Sequence, residues 1–240
     1  MKLRIQRKLR TELTALRREI PLPVYLFWWL CRLAMIAVTV QVLRGEETDG
    51  HFKLQMLANT GLLFVLPTLH LLPRRYFTFA RLPFREQTIA CLMAVTTCII
   101  GNHLNVYGRW WWFDTFVHLL AGVLCVVVGV DLIHAAANGR ERLSPLTASA
   151  VGFGLSCFTS LAWECYEFLF DWFANDCTQN WSGTPEGPLI ERFPTDPLRY
   201  PLYDTMSDLL AGLLGALLAA IALRLWMERR ACAAARRHEK

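Results

Sequence analysis

Six blocks of apolar residues, most of them close to 20 long, recur along this chain with short polar segments between them. About 20 apolar residues is the length a helix needs to cross a hydrocarbon core roughly 30 Å thick. The blocks predict spans at Val24–Leu43, Leu54–Leu72, Gln87–Gly101, Trp112–His134, Thr147–Trp172 and Tyr203–Met227. The third is short and polar at its outer end. The first follows a basic stretch without a small-residue cleavage site, so it reads as a retained span and not a signal peptide. With 54% hydrophobic and only 19% charged residues among 240, an ordinary soluble domain is excluded. The fold class is therefore all-α, a polytopic transmembrane helical bundle of about six spans.

Lys and Arg give the orientation. The amino-terminal segment, the segments after spans 2 and 4, and the carboxyl tail together hold 18 of them. The alternate connections hold only five: Arg44, Lys53, Arg109, Arg192 and Arg199. An asymmetry that alternates with every span predicts both termini in the cytoplasm. The net charge of +5 then reflects this bias and contact with anionic lipid heads, and gives no reason to invoke nucleic acid. Arg32 and Arg224, inside spans, are expected to snorkel to the cytoplasmic surface.

Three regions follow. Residues 1–23 form a cytoplasmic amphipathic segment, with Leu9, Leu13, Leu16 and Ile20 at helical spacing, ended by Pro21 and Pro23. Residues 24–227 form one membrane domain with a long outer loop at 173–202, rich in proline and irregular. Residues 228–240 form a cytoplasmic basic tail. A loop of that length beside polar residues suits a lid or a substrate contact. Asn180-Trp181-Ser182 in it fits a glycosylation acceptor, should the host be eukaryotic. Of the eight cysteines, six fall inside spans, where a thiol acts as a small apolar group. Only Cys177 lies in an outer loop, so no structural disulfide is expected.

The chain also echoes itself. The segment from Phe113 to Leu124 aligns with that from Tyr203 to Leu214, identical at seven of twelve positions, with His118 opposite Asp208. A fainter echo pairs Asn102 and Asn105 with Glu164 and Glu167. Together these predict a duplication of spans 3–4 and 5–6, with a site at the repeat interface.

Ionisable residues within spans are functional candidates by default. Asp114 and His118 lie four apart on span 4, and Asp204 and Asp208 four apart on span 6. Glu164, Glu167 and Asp171 follow one another at helical spacing on span 5. Each set shares one helix face. Span 5 runs outward and spans 4 and 6 inward, so these residues lie at similar depth near the outer surface. Ala121, Gly122 and Cys125 continue the face of span 4, and Ala211, Gly212 and Gly215 that of span 6. Small residues let membrane helices approach closely, so these faces should meet each other.

So many carboxylates in a shared, partly dehydrated place cannot all stay charged and uncompensated: some are protonated, or cations neutralise them. Asp114, His118, Glu164, Glu167, Asp204 and Asp208 make a candidate metal set. Mostly oxygen ligands favour Mg²⁺, Mn²⁺ or Ca²⁺, while His118 leaves Zn²⁺ or Fe²⁺ open. The plainer alternatives are that Asp114 and Asp204 are helix N-caps. Glu164, Glu167 and Asp171 could likewise be a solvated helix end if span 5 stops near Ala162. The aromatic run Trp110–Phe113 and the pair Trp28–Trp29 read as interface belts.

The Phe-Asp-x-x-x-His element at Phe113–His118 carries a family resemblance, as do Trp-Glu-x-x-Glu at Trp163–Glu167 and Tyr-Asp-x-x-x-Asp-x-x-x-Gly at Tyr203–Gly212. The sequence resembles the bacterial inner-membrane family typified by YjdF, closely over the last three spans and by topology over the first three. More distantly it is similar to VanZ-like membrane proteins, which favour Gln and Asn where this chain has Glu167 and Asp208. The resemblance implies an inner-membrane location and specifies no reaction.

Two classes of function compete. One is a metal-dependent hydrolase or transferase acting on a membrane lipid or lipid-linked headgroup, with an activated water and Glu164 or Glu167 as general base. The other is a non-catalytic lipid-binding or assembly protein, or an ion- or proton-coupled transporter. Against transport, spans 1 and 2 offer few polar residues and the inner halves of spans 4 to 6 read as almost wholly apolar.

Overall fold

The computed structural model describes residues 20–45, 50–70, 72–73, 76–137, 143–174, 178–179 and 200–238. The expected amphipathic helix over 1–19 lies outside the described residues. So do the segment with Arg140 and Arg142, Cys177, the Asn180-Trp181-Ser182 tripeptide and most of the expected 173–202 loop.

All regular structure among the described residues is helical. The main helices are α1 (Leu22–Arg44), α2 (Gly50–Leu69), α3 (Arg85–Ala94), α4 (Phe113–Ala136), α5 (Pro145–Ala174) and α6 (Tyr200–His238); α3 continues as a π-helix over Val95–His103. Five are long and apolar enough to cross a membrane, and α3 is the exception. Its first turn carries Glu86 and Gln87, both buried, so this helix is built to be covered by protein and not by lipid. The prolines near residue 20 start α1 instead of merely ending what precedes it. Pro21 is the N-cap, and Pro23 stands in the first turn, where a missing N–H does no harm. At the other end α6 runs unbroken to His238, so the basic tail is helix over most of its length.

By contact the chain divides into two compact units, Met1–His103 and Leu104–Lys240. In the first, α1, α2 and α3 enclose an apolar core of Trp28, Cys31, Met35, Met56, Leu63, Cys91 and Cys98. Polar bonds stitch that core. Arg32 does not snorkel: its residue is only 4% exposed. Its Nε donates to the Leu63 carbonyl at 3.0 Å and its Nη2 to Gln87 Oε1 at 2.7 Å, and the Trp29 and Phe64 rings flank the guanidinium. Protein partners at mid-helix satisfy the cation where it stands, so it has no need to reach for water. Trp28 Nε1 donates to Thr88 Oγ1 at 2.8 Å, the Thr39 and Thr60 hydroxyls bond at 2.8 Å, and Asn102 Nδ2 donates to Gln55 Oε1 at 2.9 Å. Spans 1 and 2 are thus less bare of polar function than their sequences suggest.

The second unit is α4, α5 and α6 packed on one another, with α4 and α6 sharing its most extensive interface. Glycine makes this approach possible. A β-carbon on Gly122 would strike the Gly212 carbonyl, and one on Gly215 the Leu119 carbonyl. On the α5 side, a β-carbon on Gly152 would lie 2.7 Å from the Val126 carbonyl, and Ser156 Oγ donates to the Gly122 carbonyl at 2.8 Å. Below these contacts Val126, Ala216 and Ala220 form the core with Phe153 and Cys157. The small-residue faces of α4 and α6 do meet each other. The outward residues, among them Leu210, Leu213, Leu217, Phe158 and Leu161, are large, apolar and exposed, as lipid contact requires.

Two substitutions test this account. Gln87→Leu leaves part of the Arg32 fork without a partner in apolar surroundings, and should lower unfolding stability in detergent micelles by roughly 1.5–3 kcal/mol. Gly215→Leu forces a side chain against the α4 backbone. It should destabilise by about 1–3 kcal/mol and raise accessibility of cysteines placed along the α4–α6 seam, whereas Gly154→Leu, whose β-carbon meets open space, should leave both unchanged.

Candidate functional site

The residues singled out from the sequence gather at one end of the second unit, where α4 begins, α5 ends and α6 begins. Asp114 stands in the first turn of α4, with Trp112 as the N-cap. Asp204 lies more than a turn inside α6, which starts at Tyr200. Neither acid is an N-cap. Nor is α5 solvated beyond Ala162: it continues to Ala174, and both Glu164 and Asp171 are buried on it.

His118 is the centre of the arrangement. One turn inside Asp114, it is 7% exposed. Its Nε2 faces Asp114 Oδ1 at 3.6 Å and its Nδ1 faces Glu164 Oε1, also at 3.6 Å. Both separations exceed hydrogen-bond length. From α6, Asp208 completes a three-residue group: Asp114, His118 and Asp208 each offer a ligand atom, and these atoms lie within 4.8 Å of one another. Asp208 is 3% exposed, and its Oδ1 makes no hydrogen bond. Glu164 Oε1 is likewise buried without one. Asp208 also feels the charges of Asp114, Asp204, Glu164 and Glu167, so five carboxyl groups share one electrostatic neighbourhood.

The six predicted residues do not play equal parts. Asp114, His118 and Asp208 form the tight group, with Glu164 against the imidazole. Glu167 is half-buried and accepts a hydrogen bond from Trp163 Nε1 at 2.7 Å. Asp204 is buried on the same stretch of α6 and stands outside the tight group.

Asp171 departs most from the sequence expectation of a solvated acid. It is 1% exposed, and its Oδ1 accepts the Thr178 backbone N–H at 2.7 Å and the Thr178 hydroxyl, while Oδ2 accepts the Gln179 N–H at 2.9 Å. Gln179, which sequence reading passed over, then returns to the site. Its Nε2 donates to Glu164 Oε2 at 2.9 Å and to the Glu164 carbonyl at 3.0 Å. Asp131 was also missed. It is buried on α4 about 25 Å along the axis from Asp114 at 1.5 Å per residue, and with buried Ser149 on α5 it makes that half of the unit less apolar than its composition suggests.

Before α4, the chain turns tightly. Asn105 has φ of 54°, a left-handed conformation asparagine tolerates, and a β-carbon at Gly108 would strike the Asn105 side chain. The turn delivers a run of exposed aromatics in which Trp110 stacks on Trp112 with ring centroids 5.4 Å apart, a belt suited to the membrane boundary. The fainter echo finds no structural counterpart here. Asn102 sits in a π-helix and Asn105 in a left-handed turn, whereas Glu164 and Glu167 share a regular α-helix.

Fold and site together define a polytopic helical membrane protein with a buried acid–histidine cluster at one end of a three-helix unit. The chain belongs to the family described as predicted membrane protein DUF2238, which it matches over residues 25–229, across both units. That is consistent with the YjdF-type resemblance of its last three spans. No curated protein matches the chain, and no solved structure matches it.

Proposed function

We propose that the second unit binds a divalent cation on Asp114, His118 and Asp208, and that the protein is a metal-dependent enzyme acting on a lipid or lipid-linked headgroup at the outer leaflet of the inner membrane. The observation that carries this reading is the buried three-residue group with an unpartnered Asp208 oxygen. A buried carboxylate oxygen is left without a hydrogen bond only at considerable cost, and a cation would remove that cost. The spacing suits an ion. Ligand atoms about 2.1 Å from a tetrahedral metal lie about 3.4 Å from one another, close to the 3.6 Å between His118 Nε2 and Asp114 Oδ1.

In this arrangement Nε2 of His118 would hold the cation, while Nδ1 faces Glu164 at 3.6 Å, where the carboxylate charge favours this ring orientation from behind. Glu167, half-buried and steadied by Trp163, is the group free to take a proton from a water at the edge of the cluster. A bound divalent ion would supply Lewis acidity toward a headgroup oxygen. The exposed belt at Trp110–Trp112 would hold this end of the unit at the headgroup level. The alternation of Lys and Arg supports an orientation with both termini in the cytoplasm, counting α3 as a crossing sheltered by protein.

Topology is tested by reporter fusions. Those after Arg75 and Arg140 should read cytoplasmic, and those at Lys53 and Pro185 external. The metal is tested on full-length protein in detergent, stripped with chelator and reloaded with Mn²⁺ or Zn²⁺. Wild type should retain a divalent ion by elemental analysis, and His118→Ala and Asp208→Asn should lose it. Stability should change sign with the ion. In stripped protein Asp208→Asn removes an uncompensated charge and should raise the thermal midpoint by about 2–4 °C, equivalent to roughly 1 kcal/mol. With metal in excess it removes a ligand and should lower the midpoint relative to wild type. A wild-type protein that takes up no divalent ion overturns the reading.

A further inference from the structure

We infer that Gln179 is a positioning residue of this site, held in place by Asp171, and that it tunes the cluster through Glu164. The inference rests on the metal reading above for its consequence; the linkage from Asp171 through Gln179 to Glu164 stands on hydrogen bonds, and its last step to His118 is a charge contact at 3.6 Å. Beginning at the carboxyl end of α5, Asp171 is the anchor. Its two oxygens take the backbone N–H groups of Thr178 and Gln179, with the Thr178 hydroxyl as a third donor. A carboxylate that gathers three donors from two consecutive residues fixes the course of the chain there, and its burial shields those bonds from competing water. The residue so fixed, Gln179, is itself buried and directs its side-chain amide back across two turns of α5 to Glu164.

The effect on Glu164 is specific. Gln179 occupies Oε2 and the main-chain carbonyl of the same residue, which pins the carboxylate plane. The remaining oxygen, Oε1, is left facing His118 Nδ1. An amide that donates to one carboxylate oxygen while the other addresses the imidazole is a second layer behind the ligand: Gln179 fixes Glu164, Glu164 faces His118 at 3.6 Å, and His118 would hold the ion. Groups behind a metal ligand commonly change affinity by about 10–100-fold when removed. The chemistry calls for glutamine at this position. A second carboxylate would repel Glu164, and leucine of similar size would remove the amide donor from the Glu164 carboxylate.

The test uses full-length protein in detergent with Co²⁺ as the probe, read by its visible absorption and by titration. Gln179→Leu, one layer behind the group that faces the ligand, should weaken Co²⁺ binding by about 10-fold, the low end of the range for such support, and alter the ligand-field spectrum. Asp171→Ala should do the same, and Asp171→Asn, which keeps one carbonyl acceptor, should fall between it and wild type. A merely structural role would lower stability without moving the spectrum of the bound ion. Hydrogen exchange on chelated protein isolates the linkage from the metal: the Thr178 and Gln179 amides should be protected in wild type and lose protection in Asp171→Ala. If those amides exchange freely in wild type, the linkage is wrong whatever the metal does. If they are protected but Gln179→Leu binds Co²⁺ as tightly as wild type with the same spectrum, the positioning role is overturned while the metal site stands. If wild type binds no Co²⁺, Mn²⁺ or Zn²⁺ although the amides are protected, the metal reading fails and takes the positioning role with it, leaving Asp171 a purely structural anchor.

Discussion

Hydrocarbon offers no hydrogen bonds, so each polar group carried into it must find a partner within the protein. Both units of this chain are organised by that requirement, and they meet it differently. In the first, several polar side chains find partners across helices: Arg32 with Gln87 and the Leu63 carbonyl, Trp28 with Thr88, Asn102 with Gln55. In the second, backbone approach replaces side-chain pairing. Gly122, Gly212 and Gly215 bring α4 and α6 close enough for main chain to touch main chain. The hydroxyl of Ser156 adds a bond to the Gly122 carbonyl. At one end of that same tight seam the matching stops, and carboxyl groups accumulate with oxygens left over.

What sets the cluster apart is that several carboxyl groups and an imidazole gather in one buried place. A chain able to match a guanidinium deep inside α1 could have matched Asp208 equally well. Polar groups left unsatisfied in otherwise well-matched surroundings mark places where function overrides stability. The glycine seam and the cluster are also mechanically linked. His118 precedes Gly122 by one turn, and Asp208 precedes Gly212 by one turn, so the contact that locks the helices fixes the spacing between imidazole and carboxylate.

Much of this was legible in the sequence. Helix positions followed from block length, because a span's extent is set by the membrane and not by distant contacts. Residue spacing placed Asp114 with His118 and Asp204 with Asp208 on single faces, and the small residues below them marked the α4–α6 contact. What escaped had no periodic or compositional signature. Gln179 lies in a proline-rich stretch of the sequence where nothing distinguishes one polar residue from another; only the fold-back onto Asp171 gives it a role. Arg32 reads as a snorkelling residue because snorkelling is a property of a single helix, whereas its partners lie on two others. Asp171 reads as solvated from its place near a helix end, whereas its burial comes with the bonds it makes to Thr178 and Gln179. The third helix reads as a span by position, yet Glu86 and Gln87 at its start show that it takes its cover from neighbours.

The Arg32 linkage has a consequence for biogenesis. A lone helix with arginine near its middle enters lipid at a disadvantage of about 2.5–3.5 kcal/mol. The partner that relieves it, Gln87, is 55 residues farther along the chain. At a synthesis rate of about 5–20 residues per second, α1 exists for several seconds before its guanidinium can be matched. Full relief of that cost waits on α3, so the settled place of α1 in the bilayer is tied to a helix made later.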